Sequence, residues 1–366
     1  MSEKANDKLT VKAFINKVLA GTATGVIVSL IANAIIGSLL KSLGQNNKFL
    51  MDFYYIVRNM QFLSPVLMGV LIGLQFNLNG MQSVLVGAAT YLGSGAYKIA
   101  GEANEIATGA GSVTMAGIGD LINIMLTASL AVLVILWIGN KLGSLTIILL
   151  PIIVGGGVGL VGYYTLPFVS QITKYIGAGI NSFTVLQPLL MCILIAISFS
   201  LLIISPISTV AIGIAIGVVG LGAGAANIGV TACTAVLVIS SLKINKGGIT
   251  LGIALGGMKM MMPNLVNYPI IAVPVALNAA LCGIAVRIFN ILGTPQSAGF
   301  GVVGLVGPIT AYGEGIKAGA SSPALILGIV MTFLVIPVAG AILFDFLCRK
   351  VFKLYEIEAF RFMGVQ

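Results

Sequence analysis

Histidine occurs nowhere in this 366-residue chain. Its absence removes His-based proton relays, imidazole metal ligands and Ser/His or Cys/His nucleophilic pairs. Phosphohistidine goes with them, so any phosphoryl chemistry must come from another polypeptide. Charge is scarce too: Asp, Glu, Lys and Arg make up 8% of the residues, against about 25% in a soluble domain. Cysteine is limited to Cys192, Cys233, Cys282 and Cys348, far apart and with no CxxC pair. That spacing indicates neither a disulfide framework nor a metal site and predicts small buried apolar side chains. With no nucleophile–base pair and no ligand cluster, the sequence predicts no catalytic residue, no metal and no cofactor.

What is present is apolar. The hydrophobic fraction is 58% and the mean hydropathy is +1.11, which excludes a soluble globular domain and predicts an all-α polytopic membrane protein. Apolar runs near 18–40, 61–79, 81–97, 118–138, 144–166, 184–204, 206–224, 226–242, 268–291 and 321–347 read as about ten transmembrane helices. The start, MSEKANDKLTVKAFINK, is polar and basic and runs into an apolar stretch of spanning length, so the first span is expected to be its own insertion signal. The net charge is +9, and its placement argues for the bilayer and against nucleic acid. Lys4, Lys8, Lys12 and Lys17 precede the first span, and Arg349, Lys350, Lys353 and Arg361 follow the last. The positive-inside bias then puts both termini in the cytoplasm and makes the crossings even in number. Lys141, Lys243 and Lys246 agree with that orientation, whereas Lys41, Lys48 and Arg58 oppose it. An amphipathic stretch at 50–62 lying along the interface would account for part of that discord.

Three stretches fit no plain span: 98–117, 247–267 and 293–317. Each mixes Gly with polar or charged residues, the pattern of a re-entrant hairpin or broken helix lining a binding site. A fourth, LPFVSQITKYIGAGINSF at 166–183, has the periodicity of an amphipathic linker helix. Glycines at four-residue spacing in GTATG (21–25), GVLIG (69–73), GGGVG (155–159), GIAIG (213–217) and GIALG (252–256) predict close helix packing. YLGSGA (91–96) and GLGAGA (220–225) hint at an internal repeat.

Ionisable residues at membrane depth are few and face partners or a water path. Glu102, Glu105 and Asp120 surround the first irregular stretch, where they could form an ion or proton site; an exposed acidic loop and an N-terminal helix cap at Asp120 are the plainer readings. Glu314, between Gly313 and Gly315 and followed by Lys317, is the carboxylate best placed to meet a substrate. A sugar needs amides, hydroxyls and an aromatic face. Asn264, Asn267 and Tyr268 in MMPNLVNYP, Thr294, Gln296, Ser297 and Phe300 in GTPQSAGFG, and Tyr312 supply them. Pro263 and Pro295 would free backbone carbonyls beside them. Ser205, Ser208 and Thr209 in SPIST, with Asn227 beyond, form a weaker third polar break. Interhelical hydrogen bonding is the competing role for every one of these side chains.

In these features the chain resembles the membrane-embedded IIC component of the bacterial sugar phosphotransferase system, and within it the stand-alone branch that includes membrane regulators of the perfringolysin-regulator type. The resemblance rests on the span plan, the amphipathic linker, SPISTVAIG (205–213), PNLVNYP (263–269) and above all GTPQSAGFG (293–301). It implies a dimer of two-half subunits with two re-entrant hairpins: residues 1–166 as scaffold and dimer contact, 167–183 as linker, 184–348 as the substrate-binding half and 349–366 as a cytoplasmic tail. It also implies a bacterial plasma-membrane location and a small sugar-like solute carried by alternating access. The solute would be phosphorylated by a separate cytoplasmic IIB protein, since no IIA or IIB domain is expected at either end. The family's Gly-Ile-Thr-Glu motif is not present as such, although GEGI (313–316) keeps a Glu between small residues. Two other readings stay open: a non-transporting membrane sensor that signals through the basic tail, and an ion-coupled transporter of a non-sugar metabolite.

Overall fold

Thr10 accepts the Ala13 N–H and so caps the first helix, α1, Val11–Ala32. From there a computed structural model describes residues 10–37, 40, 43–100, 111–139 and 141–363, and these are almost entirely helical. An amphipathic helix, α2 (Lys48–Met60), leads into α3 (Ser64–Gln75). A reciprocal Asn79–Gln82 capping box then starts α4 (Gly80–Gly93). Asp120 caps α5 (Leu121–Ile138) by accepting the Asn123 N–H. The continuous helix α6, Gly143–Val185, carries a π-helical stretch at Pro151–Val158 and Pro167 in its interior. Next come α7 (Pro188–Ile204), the short α8 (Thr209–Ala215), α9 (Gly220–Ser241), α10 (Gly247–Ala254) and α11 (Met262–Asn267). The chain ends through α12 (Ala272–Phe289), α13 (Val306–Lys317) and the long α14, Ser322–Val351.

Among the described residues, seven helical segments are long and apolar enough to cross a bilayer, and Pro188–Ile204 is a shorter apolar helix. The protein is therefore an all-α polytopic membrane protein. Several expectations change in detail. Residues 206–224 do not make one span: α8 stops at Ala215, and Gly217 and Gly220 take positive φ values of 62° and 59° that an L side chain resists. The stretch at 166–183 is no separate linker, because it continues the helix begun at Gly143. The described ends of the stretch at 98–117 are not helical either. Tyr97–Ala100 and Ser112–Met115 pair as an antiparallel hairpin whose second strand is fully exposed. Glu102 and Glu105 lie outside the described residues. YLGSGA ends α4 while GLGAGA starts α9, so the two hexamers occupy opposite helix ends and mark no structural repeat.

The buried apolar residues form one cluster running from Ile180 to Phe362 and two others confined to Val18–Val158 and Val26–Ile124. In the first part, α1, α3 and α4 pack side by side because small residues let backbones approach. A Cβ on Gly21 or Gly25 would fall 2.6 Å from the Cα of Ile72 or Met68, and one on Gly69 would fall 2.7 Å from Gly87 Cα. In the second part, α7, α12 and α14 surround α9. The Gly220–Ser241 helix is 89% buried, which its Gly, Ala, Ser, Thr and Cys content allows. All four cysteines are free and buried.

One pattern recurs in both parts. Asn123, fully buried, donates to Gly93 O (2.5 Å) and Gly162 O (2.8 Å) and accepts from Thr165 Oγ1 (3.0 Å), tying α4, α5 and α6 together. Asn278 donates to Ala232 O and Pro337 O, both at 3.0 Å, and ties α9, α12 and α14. Such bonds satisfy buried carboxamides that hydrocarbon cannot.

Gly25→Val is expected to lower stability by about 1–3 kcal/mol through overpacking, read as a lower thermal unfolding midpoint in detergent. Gly179→Ala, where a Cβ meets nothing within 4 Å, should leave the midpoint unchanged or raise it; equal effects at the two sites would refute the close α1–α3 approach.

Candidate functional site: the junction of three broken helices

Three interruptions of the helical backbone meet beside α9. The first is Ser205–Ser208, between α7 and α8. The second is Leu255–Met261, between α10 and α11, and ends in a 3-10 turn at Met258–Met261. The third is Gly293–Leu305, which precedes α13 and includes a 3-10 turn at Val303–Leu305.

Lys259 joins the first two. It is 7% exposed, and its Nζ donates to Ser205 O (2.5 Å) and Ile207 O (2.8 Å). Ser205 is the C-cap of α7, so the ammonium lies at the negative end of that helix dipole. Among the described residues no carboxylate forms an ion pair with it. The surrounding Met258, Met260, Met261 and Met262 are all buried, which supplies an adaptable apolar jacket.

Thr209 joins the first break to the third: its Oγ1 donates to Gly299 O at 3.0 Å. Asn227 on α9 then fixes the third break. Its Nδ2 donates to Ser297 Oγ (3.2 Å) and its Oδ1 accepts from Gly301 N (3.2 Å). Thr294 and Ser297 brace the same loop, Thr294 N–H donating to Ser297 Oγ at 3.0 Å and Ser297 N–H to Thr294 Oγ1 at 3.3 Å. A pair of main-chain bonds between Gly220 and Gly293 (3.0 and 3.1 Å) closes the loop's base onto the start of α9.

Helix α1 lies across the other side of these breaks. It packs against Met258–Met261 and α11 along its length, and the π-helical turn after it, Asn33–Gly37, touches Val303–Leu305. Asn16 near its start pairs with Asn267, each carboxamide donating to the other at 2.7 and 3.3 Å. From Asn16 to Asn33 is about 25 Å of helix. Helix α11 and the third break thus meet α1 at ends separated by roughly the thickness of a hydrocarbon core.

The residues singled out in the sequence divide accordingly. Ser297 and Asn227 are buried and bonded to each other. Ser208 caps α8 by accepting the Ala211 N–H. Thr294 and Phe300 are half-buried, and Gln296 is exposed at the loop tip, its carboxamide making no hydrogen bond among the described residues. Glu314 sits farther off, about 12 Å along α13 from Val306. It is paired with Lys317 at 2.7 Å, and no described hydrogen bond links it to the loop. Tyr312 bonds Ser322 at 2.9 Å. Asn264 and Asn267 are not at the loop: both are engaged at the opposite end of α1, on the C-terminal segment. Asp120 is occupied as the cap of α5. Sequence reasoning passed over Lys259, although a lone charge inside GGMKMMMPN, between two breaks, is the signal that intramembrane ionisable residues give.

Helices broken at membrane depth, stitched to one another by buried donors and enclosing a small-residue helix, define the class: a polytopic membrane protein whose irregular backbone is confined to a polar junction inside the protein. The chain belongs to the family "Phosphotransferase system, EIIC", which matches residues 16–362. It is thus a membrane transport subunit of the phosphotransferase type. No curated protein and no solved structure matches it.

Asn227→Leu is expected to cost about 1–3 kcal/mol, because the buried Gly301 N–H loses its acceptor. A double-mutant cycle with Ser297→Ala, read from unfolding in detergent, should show coupling of about 0.5–3 kcal/mol; additivity would dissolve the proposed brace.

Proposed function

We propose that this chain binds a small polyhydroxylated, sugar-like solute at the three-break junction and exposes it to alternate sides of a bacterial plasma membrane. The observation that carries the reading is the third break. Asn227, Ser297, Thr209 and the Gly220–Gly293 bonds hold its backbone rigid, while Gln296 is left exposed with Thr294 and Phe300 beside it. A fixed loop presenting a free carboxamide, a hydroxyl and a ring has the donor, acceptor and apolar faces that a neutral sugar requires. The contacts of α11 and the third break with opposite ends of α1 support gates on opposite faces.

In this reading the unit is a homodimer with both termini cytoplasmic, residues 184–348 carry the solute, and a separate IIB protein phosphorylates it. Asn16, near the start of the chain, bonds Asn267, which also touches Met363; this contact supports both ends lying on one side, in keeping with an even number of crossings. The capping role of Asp120 leaves the ion-coupled alternative with less to work on. The regulator reading keeps one favourable observation, a tail seated on the body of the protein through Asn245 and Asn264.

Purified protein screened against a sugar and sugar-acid panel should gain thermal stability with at least one member, since mass action stabilises whatever state binds ligand. Gln296→Ala should weaken that ligand by about tenfold, the value of one hydrogen-bond set of about 1.4 kcal/mol. Glu314→Ala should weaken it as well if α13 closes on the solute. An unshifted panel, with uptake in cells indifferent to Gln296→Ala, would sink the proposal.

A further inference from the structure

The last helix ends near Val351, and the segment beyond it is not free. Apart from a 3-10 turn at Ile357–Phe360, residues 353–363 carry no helical hydrogen bonding of their own, yet four of their side chains are buried: Tyr355, Ala359, Phe360 and Phe362, with Phe360 at 0% exposure. Their main chain is bonded by carboxamides from elsewhere in the fold. Asn245 donates to Phe360 O and accepts from Phe362 N, both at 2.8 Å. Asn264, itself fully buried, donates to Ala359 O and Arg361 O, both at 2.8 Å. Among the described residues its Oδ1 has no partner, so all of its hydrogen bonding goes to this segment. Tyr355 meets the Phe360 ring edge-on at 5.4 Å. Glu358 and Arg361 point outward and pair with each other at 2.6 Å, and the Arg361 hydrogen bonds hold the Glu358 carboxyl below its usual range.

Main-chain groups read by fixed donors and acceptors, with alternate side chains seated in apolar pockets, is how proteins recognise an extended peptide. We propose that the face carrying both termini contains a peptide-binding groove, built by Asn245, Asn264 and Asn267, whose resident ligand is the chain's own segment Leu354–Met363, and that this strap holds the solute path closed at that end.

The closing role comes from Asn267. Its Nδ2 bonds Asn16 of α1 at 2.7 Å and Pro263 O at 2.8 Å, and touches Met363 Sδ at 3.7 Å. One carboxamide therefore meets the first part of the chain, its own helix α11 and the strap. The parts cannot separate at this end while the Asn16–Asn267 pair stands, and the strap is seated on the same helix, α11. Because the strap is tethered, its effective concentration is in the millimolar range, so it stays seated until a competing segment displaces it.

The groove stands on the hydrogen bonds alone; what the strap closes rests on the transport reading. A protease site placed at Lys353–Leu354 of the full chain allows the strap to be cut after folding. The cut protein should release it and bind a fluorescent peptide of residues 354–366, and the Phe360→Ala peptide should bind at least tenfold more weakly. Cys348, now 1% exposed and bonded through its carbonyl to Leu354 N at 2.8 Å, should become at least tenfold more reactive to maleimide after release and be protected again by the peptide. Cys192, Cys233 and Cys282, buried elsewhere, report any general unfolding when the label is located by mass spectrometry. Phe360→Ala in the uncut chain should raise Cys348 labelling in the same direction. A strap that neither leaves nor exchanges, or Cys348 reactivity unchanged on release, overturns the groove. Exchange with solute uptake unaltered overturns the closing role and leaves the groove standing. Failure to find any solute for the intact protein counts against the transport reading only.

Discussion

The buried ammonium of Lys259, held by the carbonyls of Ser205 and Ile207, carries the constraint on which the rest depends. A helix broken inside a membrane protein exposes carbonyls that neither lipid nor the helix itself can satisfy. Each must find a donor brought by another part of the chain. Lys259 does this for the first break, Thr209 for the third, and Asn245 and Asn264 for the terminal strap, while Asn227 accepts the third break's Gly301 N–H. The donors are side chains with more than one N–H or with a hydroxyl, and most of them bridge two elements. Where such a donor stands decides which breaks lie together.

The packing that brings those donors into range comes from glycine and other small residues. The approach of α1 to α3 at Gly21 and Gly25 settles the first part. The small-residue face of α9 settles the second, and the loop at 293–301 can rest on α9 only because Gly224 and Gly293 leave room for one another's strands of backbone. Membership of the phosphotransferase EIIC family gives this architecture a task, and the exposed Gln296 on a rigid loop is the place we propose for it. The polar side chains nearest that place are divided between holding the loop and facing away from it.

Much of this was legible in the residues themselves. Pro, Gly and polar side chains inside apolar surroundings flagged 205–209, 247–267 and 293–317, within which the helices break at 205–208, 255–261 and 293–305 and resume on either side. GTATG and GVLIG foretold close packing correctly. The stretch at 98–117 has the same composition, yet its described ends, Tyr97–Ala100 and Ser112–Met115, pair as strands of which the second is exposed, since composition does not record whether a segment is covered. Asn264 and Asn267 have the chemistry of sugar ligands and instead engage the C-terminal segment and Asn16, whose partners lie 95 to 251 residues away in sequence. Lys259 was readable as a buried charge and was hidden by the methionines around it.

The sequence by itself determined that this chain lives in a membrane, is built from helices, lacks histidine chemistry and interrupts its helices at set points. These follow from local properties: hydropathy, periodicity and the backbone limits of Pro and Gly. Only the tertiary structure decided which interruption faces which, that Ser297 and Asn227 brace the loop while Gln296 stays free, and that the tail is seated as a ligand. The reason is that an amide or ammonium can satisfy any carbonyl it reaches, so its type specifies the kind of bond it makes. The partner is specified by distance, and distance is set by helices packed far apart in sequence.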